Sequence, residues 1–159
     1  MPDTMPFDTF VSPARGRPQI WRLVLGLVIC VLAMVLWLAA PLSLLAAAAL
    51  AIAAAGQFVR LLRWQGWRCG SNPILIVLHI GYLWLPAGLL LLGFAQLALV
   101  PESAALHALS TGAMATMILA VMSRASLGHT GRPLVAGPVV AASYLLVTVA
   151  ALSRIAAGF

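Results

Sequence analysis

Long apolar stretches, separated by short polar segments, make up most of the chain. No charged residue occurs between Leu23 and Val59, and this stretch is too long for one membrane span of about 20 residues and suits two. Pro41 marks the turn between them, because proline disrupts a helix interior. Three further apolar stretches follow. The pattern predicts five helices that cross a membrane, at residues 20–40, 42–61, 73–96, 104–123 and 133–156.

The composition supports this division. Hydrophobic residues make up 64% of the chain and charged residues 8%, as in integral membrane proteins. We therefore expect an all-α fold, a polytopic transmembrane helical bundle formed by residues 20–159. Residues 1–19 are polar and proline-rich without the pattern of a signal peptide, which predicts a disordered cytoplasmic tail. Asn72, followed by Pro73, is predicted to cap the third helix.

The basic residues are concentrated at the ends of the apolar stretches. All nine are arginine, and the net charge is +6. At the edges of membrane spans such side chains face lipid headgroups, so we do not expect nucleic-acid binding. Arginines in short loops stay in the cytoplasm. With five spans, every arginine except Arg154 falls on one side, which predicts a cytoplasmic N-terminus and a C-terminus on the opposite side.

Small residues recur at four-residue spacing in two of the predicted helices, a pattern that lets membrane helices approach closely. In the fourth helix they are Ala104, Ala108, Gly112, Thr116 and Ala120, which predicts a packing face toward a neighbouring helix or a second copy of the chain. In the second helix they are Ser43, Ala47, Ala51 and Ala55. For that set a packing face and alanine-rich filler remain equally open.

His79 lies inside the third apolar stretch, roughly 8 Å below the membrane surface at a rise of about 1.5 Å per residue. Ionisable residues at such depth are rare and costly, so His79 is a candidate functional residue. Tyr82 and Pro86 follow on the same helical face, which predicts a polar stripe turned toward the protein interior. The alternative is a neutral histidine that is hydrogen-bonded to a neighbouring helix.

His107 begins the fourth helix near the opposite surface, with Met114 two turns below it. Histidine and a soft thioether together could hold copper, although methionines in such a helix usually only pack. His79 and His107 are predicted to lie roughly 15–20 Å apart along the membrane normal, too far for one metal ion. The nearer partner for His79 is His129, in the predicted loop RASLGHTGRP of residues 124–133.

Arginines gather around this inner site: Arg60, Arg63, Arg124 and Arg132. Their planar guanidinium groups suit carboxylates such as the two propionates of haem. The alternative is that they bind anionic lipid headgroups and orient the protein in the membrane. Gly128 and Gly131 would allow the loop to bend.

Three segments together resemble one family. LHIGYLWLP, HALSTGA and RASLGHTGRP occur in this order in the chain, within a region of about residues 60–154 that resembles the NnrS family. These are membrane proteins associated with the bacterial response to nitric oxide and described as containing haem and copper. Ser110 is a mild departure from the threonine more often found there. Family members are considerably longer, so we expect this chain to be a partial, C-terminal portion behind a short new N-terminus, ending before a last helix.

The resemblance implies a set of functional residues and cofactors. The recurring positions are His79, Gly81, Tyr82, His107, Gly112, Arg124, Gly128, His129, Gly131 and Arg132. From their chemistry we predict cofactor binding by His79, Tyr82, His107, Arg124, His129 and Arg132, with the three histidines as metal ligands. Haem is the expected cofactor, copper a second one, and nitric oxide a ligand. The expected location is the bacterial inner membrane.

Two other functions fit the same chain. A small transporter or channel subunit could use His79 to relay protons, but a second ionisable group in mid-membrane would then be expected, and Glu102 lies in a predicted turn. A shortened assembly partner without a cofactor would use only the small-residue faces. The chain shows no acid/base pair that would identify an enzyme.

Overall fold

A computed structural model describes residues 17–66 and 72–159. This part of the chain forms five helices, each long and apolar enough to cross a membrane, and it contains no strand. The helices are α1 (Arg17–Ala39), α2 (Leu44–Arg63), α3 (Pro73–Gln96), α4 (Glu102–His129) and α5 (Pro138–Ala156). The predicted all-α fold and the five spans are confirmed.

The predicted N-terminal tail of residues 1–19 lies outside the described residues, except that residues 17–19 belong to α1. Local capping determines where two of the other helices begin. The Ser43 hydroxyl accepts a hydrogen bond from the Ala46 amide over 3.1 Å at the start of α2. The Asn72 side chain accepts from the Ile74 amide over 3.1 Å, with Pro73 as the first residue of α3. The predicted cap of α3 is confirmed.

The predicted loop of residues 124–133 is largely helical, which corrects that expectation. α4 continues through His129 and ends in a turn in which the Arg132 amide donates to the Leu127 carbonyl over 3.0 Å. Gly131 supplies the positive φ of 66° that this ending requires. α5 begins at Pro138 and not at Pro133, with the proline in the first turn, where its missing N–H costs no helical hydrogen bond.

α3 is the central helix and packs against α2, α4 and α5, whereas α1 packs mainly against α2. One apolar core, which includes Leu50 and Leu92, lies where α1, α2, α3 and α4 meet. A smaller core of Val77, Ala120 and Tyr144 joins α3, α4 and α5. The outer surface carries large apolar side chains, as a surface that faces lipid does.

The predicted small-residue face of α4 is confirmed, since all five of its members are buried. The central segment Ala108–Ala115 is π-helical, and a side chain at Gly112 would meet Trp84 of α3. For α2 both interpretations were open, and the four positions do not form one buried face, because Ala47 is buried whereas Ala51 and Ala55 are exposed. α2 instead buries Ala46, Ala47, Leu50, Ala53, Ala54 and Gln57.

Two sets of contacts identify the two ends of the bundle. At one end the Leu42 amide donates to Gln96 Oε1 over 2.8 Å, and Gly158 lies against the start of α4. At the other end the Asn72 side chain donates to the Leu134 carbonyl over 3.2 Å, which ties the α4–α5 link to the start of α3. We call this second end the arginine end, because Arg22, Arg60, Arg63 and Arg124 lie on the adjoining helix ends.

Candidate functional site

His79 lies on the face of α3 that is turned toward the end of α2. Its Nδ1 is 2.8 Å from the Leu75 carbonyl oxygen. A carbonyl only accepts hydrogen bonds, so Nδ1 is the donor in this contact. Nε2 is buried and has no hydrogen-bond partner among the described residues. Among the described residues, the imidazole of His79 is therefore oriented by one hydrogen bond and leaves its second nitrogen unpaired.

Aromatic and cationic side chains surround this imidazole. The Trp64 indole meets the His79 ring edge-on at a centroid distance of 6.3 Å, and its distance from the Tyr82 ring is 4.6 Å. The Arg60 guanidinium lies over both of these larger rings, 5.4 Å from the Trp64 centroid and 5.9 Å from that of Tyr82. We call Gln57, Arg60, Trp64, Gly66, His79 and Tyr82 the inner cluster.

Gly66 covers the open side of the histidine. A Cβ at this position would lie 2.4 Å from His79 Cδ2 and 2.9 Å from Nε2. Only a residue without a side chain leaves room for the imidazole here. Nε2 is thus covered by the short turn after α2, and the position of this turn controls access to it.

The side chain of Gln57 on α2 forms polar contacts with both α1 and α3. Its Oε1 accepts a hydrogen bond from the Tyr82 hydroxyl. Its Nε2 lies 2.9 Å from Cys30 Sγ and 3.3 Å from the Gly26 carbonyl oxygen. Gln57 is 5% exposed, so in the folded protein its amide forms hydrogen bonds with protein groups in place of water. It was missed in the sequence-based prediction, although it is the only polar side chain between Ser43 and Arg60.

A cavity of about 710 Å³ lies between α1 and α2 beside the inner cluster. Trp64 and Gln57 line it, and His79 does not. Its wall is otherwise apolar except for three arginines, namely Arg22, Arg60 and Arg63. Nothing in the apolar pattern predicted this cavity, because it depends on how α1 packs against α2.

The other predicted site residues lie elsewhere. His107 is half-buried near the opposite end of the bundle. Arg124 and His129 line a separate surface groove of about 460 Å³ with Leu134, and Arg132 is exposed. The structure therefore brings His79 and Tyr82 together, but it does not gather the three histidines. The predicted inward face of α3 is confirmed, because Tyr82 is half-buried and Pro86 is buried.

Five apolar helices with a polar cluster between α2 and α3 define a polytopic α-helical membrane protein with an intramembrane polar site. The chain matches the model of the NnrS family, described as NnrS protein, over residues 5–159. It belongs to this family. The match includes α1 and α2, so the expectation of an unrelated N-terminal segment before residue 60 is wrong. No curated protein and no solved structure matches the chain.

The donor atoms around His79 define what kind of cofactor this part of the chain could hold. The described residues contain no group of three or more His, Cys, Asp or Glu side chains that could hold a metal ion, and Cys69 lies outside them. Haem iron needs only one proximal imidazole from the protein. The oriented Nε2 of His79 could supply this single ligand only after Gly66 moves away from it.

Proposed function

We propose that this protein binds haem in the membrane as part of a bacterial response to nitric oxide, with His79 as the iron ligand. Family membership supports the connection with nitric oxide. The state of His79 supports the choice of ligand. A metal-ligating histidine usually donates its other ring N–H to a carbonyl or carboxylate, which orients the ring and selects the tautomer. The bond from Nδ1 to the Leu75 carbonyl has this form.

The unpaired nitrogen is the observation that carries the proposal. A neutral buried histidine with a purely structural role would gain by hydrogen-bonding both ring nitrogens, because an unsatisfied buried polar atom costs about 1–3 kcal/mol. His79 satisfies one nitrogen and leaves Nε2 buried without a partner among the described residues. A coordinate bond to iron would remove that cost.

Neighbouring residues have distinct tasks in this proposal. Arg60 supplies a positive charge for a haem propionate, and its Nε is buried without a partner among the described residues. Tyr82 and Trp64 form an aromatic wall that holds the guanidinium in place. Gly66 covers Nε2, so haem binding requires the turn after α2 to move. Bound haem would supply iron that takes nitric oxide as a ligand.

His107, Arg124, His129 and Arg132 remain sequence-based predictions of cofactor binding, and their positions do not add a ligand to the inner cluster. We further propose that the arginine end faces the cytoplasm of a bacterial inner membrane, which leaves the C-terminus on the outer side. Arg154, near the end of α5, is the described arginine at the opposite end of the bundle, and the positive-inside tendency supports this orientation.

The absorption spectrum of purified, haem-loaded protein tests the proposal. His79→Ala should remove or shift the Soret band while far-UV circular dichroism stays unchanged. Added imidazole should restore the band in His79→Ala by occupying the vacated space. His107→Ala is the matched control, since it removes a half-buried histidine near the other end, and it should leave the band intact. A full, unshifted spectrum in His79→Ala would overturn the inner-cluster model and favour His107.

A further inference from the structure

The cavity between α1 and α2 combines an apolar wall with positive charge at one end. Leu25, Ile29 and Ala53 contribute to the apolar wall, and Arg22 and Arg63 lie at the arginine end. Ile29 is seven residues beyond Arg22 on α1, which corresponds to roughly 10 Å along the helix. The cavity is therefore amphiphilic, with a cationic end and an apolar wall that extends roughly 10 Å along the helices.

The positive charge of this cavity has no counter-charge in the described part of the chain. Its one acidic residue there, Glu102, begins α4 at the opposite end of the bundle. Arg22 and Arg63 have exposed side chains, and no ion pair to either is present among the described residues. An anion that binds here must therefore come from outside this part of the protein.

We propose that this cavity is a specific binding site for an anionic phospholipid. Arg22 and Arg63 hold the phosphate, and one acyl chain lies against Leu25, Ile29 and Ala53. A free inorganic anion would use the arginines but not the apolar wall. A second copy of this chain would bring the same unneutralised arginines to the contact, which like-charge repulsion disfavours.

This site is independent of the proposed haem ligand. His79 does not line the cavity, and the free Nε2 is covered by Gly66 and not by a cavity residue. The two proposals share Arg60 and Trp64 as neighbours, so the variants below leave both of these residues unchanged. Lipid and haem also differ in mass, which separates their signals in one measurement.

Gly56 offers a way to fill the cavity without disturbing the helices. It lines the cavity, and a Cβ there would meet nothing within 4 Å. Gly56→Phe should therefore occupy the space of the acyl chain. Gly128→Phe is the matched control, because Gly128 lines the other groove at the same end and its Cβ position is equally open.

Native mass spectrometry of the detergent-solubilised protein, titrated with phosphatidylglycerol or with phosphatidylethanolamine of the same acyl chains, tests the proposal. Phosphatidylglycerol should bind more tightly. Arg22→Gln and Arg63→Gln should each weaken its binding about fivefold, since one basic residue near an anionic surface is worth about 1 kcal/mol. Arg124→Gln, at the same end but in the other groove, should not change it. Gly56→Phe should abolish the bound lipid, and Gly128→Phe should retain it.

Three results would overturn the lipid site: equal binding of the two lipids, equal weakening by Arg124→Gln, or unchanged binding in both Gly56→Phe and the Arg22→Gln/Arg63→Gln double variant. Loss of haem with retention of lipid in Gly56→Phe would assign the cavity to haem instead. If Gly56→Phe fails to fold, the arginine variants alone decide the matter.

Discussion

Gly112→Leu tests a close contact between α3 and α4. Gly112 lies in the π-helical segment of α4, against the indole of Trp84 on α3. A Cβ at position 112 would lie 2.6 Å from Trp84 Cδ2, 2.8 Å from Cγ and 2.9 Å from Cε3. The three atoms belong to one rigid, half-buried ring, so the ring or the helix must shift before any larger side chain fits.

The expected loss of stability follows from that contact. Overpacking a well-packed interface costs about 1–3 kcal/mol. Leucine adds three atoms beyond the Cβ that already clashes, so we expect Gly112→Leu to lower the free energy of unfolding by about 2–3 kcal/mol, at the upper end of this range. Gly112→Ala should lose less, because the clash of one methyl group is offset by a gain in helix propensity of about 1 kcal/mol.

Unfolding by titration with SDS in mixed micelles measures this free energy. Gly128→Leu is the control on the same helix, where a Cβ meets nothing within 4 Å, and its stability should be unchanged or slightly higher. Trp84→Leu should suppress part of the Gly112→Leu defect, with a coupling energy of at least about 1 kcal/mol in the double-mutant cycle. Equal stability of Gly112→Leu and the parent protein would show that α3 and α4 do not pack through this glycine.

Three further predictions concern orientation and buried hydrogen bonds. Ser126→Cys should react with membrane-impermeant maleimide only when the reagent reaches the cytoplasmic side of the membrane. Labelling of intact spheroplasts from outside would contradict the proposed topology. Gln57→Leu should cost about 1–3 kcal/mol in unfolding free energy, because it removes the acceptor of the Tyr82 hydroxyl proton. The added change Tyr82→Phe should recover part of that loss, and no recovery would mean that the other bonds of Gln57 dominate. Asn72→Ala should cost about 1 kcal/mol through loss of the α3 cap, and a loss equal to that of Asn72→Gly would argue against a capping role.

Features set by residues close together in the chain could be predicted well. The apolar stretches predict the five helices because a membrane span must satisfy its backbone hydrogen bonds within itself. Asn72 and Pro73 place the start of α3, and the four-residue spacing from Ala104 to Ala120 predicts the buried face of α4. His79 stands out because a titratable side chain in hydrocarbon is rare.

The prediction of a loop at residues 124–133 was wrong because two local signals competed. Glycine and arginine suggested a turn from Arg124 onward, but a helix tolerates Gly128 near its end and stops only where Gly131 adopts positive φ. Pro133 and Pro138 could each begin a helix. The structure begins α5 at Pro138, and the local sequence does not distinguish between the two prolines.

The composition and order of the residues suffice to predict an all-α membrane protein with a histidine in its third span. Each of these properties depends on local hydrogen bonding and hydrophobicity. The partners of that histidine depend on the packing of α2 against α3, which brings Trp64 and Gly66 onto His79 and Gln57 onto Tyr82 across 25 positions of sequence. The packing of the helices also separates His129 from this cluster and forms the cavity beside Arg22. Apolar periodicity does not encode them, because lipid-facing and protein-facing residues are both hydrophobic in a membrane.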